Sequence, residues 1–138
     1  MTNQYYEFFC PVKVIAGKAA LEHIPYELTG LAWSGRGKVR RVDISTDGGE
    51  TWGLAQLQTP IQSICHTRFR FPWHWDGKPA ILQSRCQDET GYTQPTIKQL
   101  VAVRGLDGHA KFGSIYHLNG IQSWGVDSDG SVKNVHKY

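Results

Sequence analysis

Alternation, not helical spacing, organises the apolar residues of this chain. In "HTRFRFPWHW", Phe69, Phe71, Trp73 and Trp75 share one phase, while Arg68, Arg70 and His74 hold the other. A period of two sends these sets to opposite faces of a strand. Pro72 cannot donate to a ladder, so an edge position or a strand end is expected there. Further strands are predicted in "YELTGLAWS", "VRRVDIS", "TWGLAQLQ", "AILQSRCQD", "IQSWGVDS" and "VKNVHKY". The turns between them are rich in Gly, Asp and Pro: "GRGK", "TDGGE", "WDGKP" and "DSDGS". Asp47-Gly48-Gly49 and Asp129-Gly130 supply the positive-φ residues that tight hairpins demand. Short strands at regular spacing, with no helix pattern, predict an all-β, immunoglobulin-like β-sandwich. Only "TIKQLVAVRG" stays open, as an irregular connection or one helical turn. No linker interrupts the chain.

The turn segment "STDGGETW", Ser45 to Trp52, matches the Asp-box signature that recurs around sialidase-type propellers. A propeller repeats its blades every ~40–50 residues, and the motif occurs once here. At 138 residues and 15.5 kDa the chain fits one domain, so the propeller reading fails on length and repetition. The segment reads instead as a hairpin, with Trp52 opening the return strand.

Composition narrows the class. Apolar residues make up 40% and aromatics 12%, as in an ordinary folded domain and unlike a disordered one. A formal charge of +3 is too small to imply nucleic acid. No apolar run approaches the ~20 residues of a membrane span. The start, "MTNQYYEFFCPVKVIAGK", lacks the basic flank and apolar core of a signal peptide. That leaves a cytoplasmic protein or one part of a larger exported chain. Cys10, Cys65 and Cys86 cannot all pair within one chain, and their spacing is not that of a zinc site. Cys65 and Cys86 lie in or beside apolar runs and are expected to be buried as small hydrophobes.

Candidate chemistry is sparse. There is no G-x-S-x-G elbow, no HExxH and no P-loop. Cys65 and His66 adjoin, but neighbours on a strand point to opposite faces and make a poor dyad. Asp127-x-Asp129-Gly130 begins like a calcium loop, but no glutamate closes it, so a hairpin turn accounts for it better. The histidines, His23, His66, His74, His109, His117 and His136, form no pair at ligand spacing; His109 and His117 flank a Gly-rich loop. No catalytic residue and no metal ligand is assigned. The basic run "GRGKVRR" suits a solvated loop as well as a phosphate contact, and no stacking aromatics accompany it. Arg104, in "LVAVRGLDG", stands apart at the end of an apolar segment. It reads as a salt-bridge partner or as a bidentate anion clamp, since the guanidinium fork matches oxyanions.

The run "GLAWSGRGKVRRVDISTDGGETW" resembles the signature of the dimerisation domain of molybdenum-cofactor oxidoreductases of the sulfite oxidase family. "RFRFPWHW", "LQSRCQDETGYTQP" and "LVAVRG" follow in the family's order, and "YHLNGIQSWGV" resembles its bacterial branch, which includes the molybdenum subunit of sulfane dehydrogenase. The likeness runs from about Tyr26 onward, and "LDGHAKFGS" is longer than the pattern. It divides the chain into a lead-in strand and loop, residues 1–25, and an immunoglobulin-like dimerisation domain, residues 26–138.

The resemblance implies a domain appended to a larger catalytic domain that carries molybdopterin and the cysteine thiolate on molybdenum. None of the three cysteines here lies in that ligand context, so no cofactor is assigned to this chain. Expected partners are a second copy, the molybdopterin domain and a c-type cytochrome acceptor; neither nucleic acid nor membrane is expected. An exported parent would place the domain in the periplasm, and a free-standing one in the cytoplasm. The family's arginine before glycine, after "GY-x-QP", corresponds to Arg104-Gly105 and implies a substrate-binding role for Arg104. The face that forms the dimer is not indicated, although Trp33, Trp52, Trp73, Trp75 and Trp124 exceed the needs of so small a core and are expected to supply an exposed apolar patch. The alternative is a free-standing immunoglobulin-like binding or adhesion module.

Overall fold

The computed structural model describes residues 26–104 and 119–135. The proposed lead-in segment, Cys10, His23, His109, His117, His136 and the loop "LDGHAKFGS" lie outside them.

The elements follow the order β1 (Tyr26–Ala32), β2 (Val39–Ser45), β3 (Gly53–Leu54), β4 (Gln56–Leu57), β5 (Thr67–Trp73), β6 (Ala80–Asp88), α1 (Ile97–Arg104), β7 (Ser123–Val126) and β8 (Val132–Asn134). They form two sheets, β1-β5-β4 and β3-β2-β6-β7-β8. Every ladder between these strands is antiparallel. The result is the expected all-β sandwich.

Its core is made by the inward phase of each strand. Leu28 and Ala32 of β1, Phe69 and Trp73 of β5, Val42 and Ile44 of β2, Leu82 and Cys86 of β6 and Val126 of β7 are buried together. On β5 the predicted alternation holds: Phe69 is buried while Arg68 and Arg70 are exposed. Pro72 sits one residue from the end of β5, beyond the reach of β4, which pairs only with Arg70 and Phe69. Its missing N–H therefore costs no ladder bond on that side.

"TWGLAQLQ" does not form one strand. Gly53–Leu54 pairs with β2, whereas Gln56–Leu57 pairs with β5 in the other sheet. The chain changes sheets at Ala55, which is buried and donates its N–H to the Val42 carbonyl at 2.9 Å. A small side chain suits the corner, where both sheets approach.

The tryptophans are covered more than expected. Trp73 is buried, and Trp33, Trp52, Trp75 and Trp124 are half-buried. Trp33 meets the His66 ring at 4.5 Å, and Trp75 packs on Tyr26 and Trp73. The exposed large apolar side chains among the described residues are instead Leu54, Ile64 and Val103.

Within "TIKQLVAVRG", the segment left open as an irregular connection or one helical turn, Ile97–Arg104 forms two turns of helix. Thr96 and Gln99 close a reciprocal cap: Gln99 N–H donates to Thr96 Oγ1 at 3.1 Å, and Thr96 N–H donates to Gln99 Oε1 at 2.9 Å. This T-x-x-Q pattern satisfies donors that a helix start otherwise leaves open.

Candidate functional site

Arg104, the one residue singled out for anion binding, is the last residue of α1. Two anchors fix that helix. Leu100 is buried. Ile97 lies against the 119–121 segment so closely that a Cβ on Gly120 would come within 2.3 Å of Ile97 Cδ1. The Ile121 N–H donates to the Pro95 carbonyl at 2.9 Å, tying that segment to the residue before the cap. Toward its end the helix reaches solvent, and Val103 is 86% exposed.

The "ETGYTQP" segment leads into α1 from the end of β6, and a buried carboxylate shapes it. Asp88 accepts hydrogen bonds from Ser34 Oγ at 2.7 Å and Thr90 Oγ1 at 2.6 Å, and from the N–H groups of Thr90 and Tyr92. Gly91 takes φ 85°, a conformation that favours glycine. Asn119 donates to the Tyr92 hydroxyl at 3.3 Å, and the Arg36 guanidinium lies 5.0 Å from the Tyr92 ring centroid. The basic run thus meets an aromatic that is distant in sequence. Gln94 is buried and accepts from the Cys86 N–H at 3.2 Å. Gln94 Nε2 and Asn119 Oδ1, both buried at the foot of α1, have no hydrogen-bond partner among the described residues. Sequence reading missed both residues; the capping box directly after Gln94-Pro95 is the signal that marks this junction.

At the opposite end of β2, the Asp-box segment is the expected hairpin. Gly48 and Gly49 take φ 77° and 99°. Asp47 accepts from Ser45 Oγ at 2.7 Å, from Thr51 Oγ1, and from the N–H groups of Glu50 and Thr51. These bonds, led by those of the Ser45 and Thr51 hydroxyls, hold its carboxyl well below the usual carboxylate range. Every bond is internal to the turn, so Asp47 acts as a structural hub. Beside it, Asp43 is 5% exposed and bridges Arg41 at 2.6 Å and Arg85 at 3.1 Å, while the Arg85 guanidinium stacks 4.2 Å from the Trp52 ring centroid.

The second Asp-Gly turn is also a hairpin and not a cation loop. Gly130 has φ 81°, the Asp127 N–H donates to the Ser131 carbonyl at 2.9 Å, and Lys133 pairs with Asp127 at 2.8 Å.

The cysteines divide. Cys86 is buried, and burial, then the nearby Asp88 charge, pushes its thiol up to about 12. Cys65 is exposed, contrary to expectation. It precedes β5, in a stretch where Ile64 takes φ 57° and donates its N–H to the Gly37 carbonyl at 3.1 Å. His66 turns to Trp33, so the adjacent pair forms no dyad. Among the described residues, no group of three His, Cys, Asp or Glu side chains could hold a metal ion. A shallow groove lined by Gln56, Leu57, Gln58, Thr59 and Arg70 has no acid–base pair, and Arg70 is tied to Glu27 at 2.7 Å. Among the described residues, no helix is long and apolar enough to cross a membrane.

Comparison with known proteins accords with this geometry. A crystal structure of the sulfane dehydrogenase SoxCD from Paracoccus pantotrophus superposes with a TM-score of 0.75 at 46% identity, over 83% of this chain and 28% of that one. An NADH nitrate reductase of Solanum lycopersicum is 33% identical over 95 residues, 62% of this chain and 10% of the reductase. A nitrate reductase of Hordeum vulgare is 34% identical over 80 residues, 51% of this chain and 9% of its own length. The chain thus spans about a tenth of the reductases it matches and just over a quarter of the SoxCD chain. The description "Mo-co oxidoreductase dimerisation domain" matches residues 11–118. With two antiparallel sheets, the Asp-Gly-Gly hairpin and the Gly-Tyr-Thr-Gln-Pro junction in place, this chain belongs to the Mo-co oxidoreductase dimerisation domain family.

Proposed function

We propose that this domain pairs two copies of a molybdenum-dependent sulfur oxidoreductase and lends Arg104 to the substrate pocket of the parent's catalytic domain. The observation that carries the reading is the position of Arg104 at the solvent-reaching end of a capped, packed helix. Sulfite and related oxyanions accept paired N–H bonds, and charge-assisted bonds are about twice as strong as neutral ones. Molybdenum held as molybdopterin would supply the redox chemistry from the parent's other domain. This chain's part is association and the placing of one cation. Residues 26–138 form the domain in this reading. A c-type cytochrome as electron acceptor, and a periplasmic address through an exported parent, belong to the same proposal. The likeness to SoxCD at 46% identity favours a sulfur substrate over nitrate.

Steady-state kinetics of the full-length parent test it. Arg104→Lys keeps the charge but loses the fork, and should raise KM. Arg104→Gln should cost more, roughly 1–3 kcal/mol of transition-state or substrate binding. A cation at a helix C-terminus also stabilises the helix by about 0.3–1 kcal/mol, so melting temperature and kinetics are measured separately. Wild-type kinetics with earlier melting would reduce Arg104 to a helix-end cation.

A further inference from the structure

Among the described residues, Asp47-Gly48, Asp76-Gly77, Asn119-Gly120 and Asp129-Gly130 each set a carbonyl-bearing side chain directly before a glycine. In such a pair the glycine nitrogen can attack the side-chain carbonyl carbon, because glycine has no Cβ to obstruct the approach. A five-membered imide forms, and water leaves from aspartate or ammonia from asparagine. Water then reopens the ring at either carbonyl. Opening at the main-chain carbonyl leaves an isoaspartyl link, in which the chain runs through the former side chain and the α-carboxylate is free. From aspartate one water leaves and one enters, so mass and charge are unchanged.

The attack needs a nitrogen and a side-chain carbonyl that can turn toward each other, and the fold restrains three of the pairs. The Gly48 N–H donates to the Ile81 carbonyl at 2.9 Å, and the Asp47 carboxylate is held by the Ser45 and Thr51 hydroxyls. The Gly130 N–H donates to the Asp127 carbonyl at 2.9 Å. Asn119 is 3% exposed, and its amide nitrogen donates to the Tyr92 hydroxyl.

Asp76-Gly77 differs. The Gly77 N–H has no hydrogen-bond partner among the described residues. Beyond its chain neighbours, no atom lies within 4 Å of where a Gly77 Cβ would stand. The bend from Asp76 to Pro79, which joins β5 to β6, is exposed throughout. Lys78 holds the Asp76 carboxylate, through its N–H at 3.1 Å and its Nζ at 2.9 Å. The two side chains are 60% and 79% exposed, and an ion pair so open to solvent is weak. It slows the attack without preventing it.

We propose that Asp76-Gly77 is a site of aspartyl isomerisation in the folded chain, and that its product is a substrate for an isoaspartyl carboxyl methyltransferase. Such an enzyme moves the methyl group of S-adenosylmethionine from sulfur to an oxygen of the freed α-carboxylate. The isomerisation adds one carbon to the main chain between positions 76 and 77. The bond from Trp75 Nε1 to the Lys78 carbonyl, 2.6 Å long, spans that point. Its loss would loosen Trp75, which packs on Tyr26 and Trp73.

The test incubates the whole chain at neutral pH and body temperature until most of a free peptide, "HWDGKPA", has converted. Peptide mapping by mass spectrometry then locates isoaspartate, and a purified isoaspartyl methyltransferase with labelled S-adenosylmethionine counts it. Isoaspartate should accumulate at position 76 at least about fivefold faster than at 47, 119 or 129, the factor that one ordinary hydrogen bond at the attacking nitrogen carries. Asp76→Glu, whose attack would have to close a less favourable six-membered ring, should abolish methyl incorporation in that peptide. Circular dichroism melts confirm that both proteins stay folded during the incubation. No isoaspartate at position 76 once the free peptide has converted, or equal amounts at 47 and 129, would overturn the proposal.

Discussion

Gly30 on β1 stands directly opposite Phe69 on β5, and a Cβ on Gly30 would lie 2.3 Å from Phe69 Cζ. The fully buried Phe69 ring thus covers the glycine backbone, which lets the three-stranded sheet close over the core. Gly30→Ala should therefore act as overpacking and destabilise the domain by roughly 1–3 kcal/mol. Urea unfolding measures it; a neutral substitution would show that the ring can turn aside.

The buried Asp43 depends on two arginines, and Arg85 also stacks on Trp52. Arg85 is about a third exposed, so its loss should cost less than breaking a fully buried pair, about 1–2 kcal/mol. Arg85→Lys keeps the charge but loses the planar stack, and should recover only part of this. The difference between the two variants in chemical denaturation measures what stacking contributes; equal stabilities would remove the stack from the account.

Asp47 gives the hairpin a pH dependence. Its carboxyl titrates lower in the folded chain than in the unfolded one. Its contribution is therefore present above the unfolded carboxylate value, about 4, and is lost as pH falls toward the depressed folded value. Asp47→Ala should melt earlier than wild type at neutral pH, and the gap should narrow as pH drops below about 4. A gap that is constant from neutral to acid pH would mean that the charged form of Asp47 contributes nothing.

The two described cysteines should differ sharply toward a thiol reagent. Cys65 is exposed, whereas the thiol of Cys86 is buried and pushed up to about 12. Mass spectrometry after brief alkylation at mildly alkaline pH should find Cys65 modified and Cys86 untouched until denaturant is added. Equal labelling in the native state would contradict the core placement of Cys86.

Much of the sandwich is readable from the chain because β5 alternates apolar and polar residues, and because Asp-Gly turns need positive φ wherever they stand. Alternation does not say which sheet a strand joins, so "TWGLAQLQ" gave no sign of the change at Ala55. Helix α1 was hidden because Ile97, Leu100, Val101 and Val103 make an apolar stretch as compatible with a strand; only the Thr96–Gln99 cap distinguishes it. Cys65 has apolar neighbours in sequence, but Ile64 takes a left-handed backbone beside it and the stretch lies at the surface. For Arg104, the residues alone left two readings open. Family likeness raised one of them, and the fold supplies the capped helix that could serve it.

The central claim, that this chain is built to associate with itself, is tested most directly by sedimentation equilibrium of the wild-type protein from low micromolar to several hundred micromolar. The account predicts a reversible monomer–dimer equilibrium, with the dimer dominant at the upper end and no larger species. A single monomer mass across the whole range would contradict it.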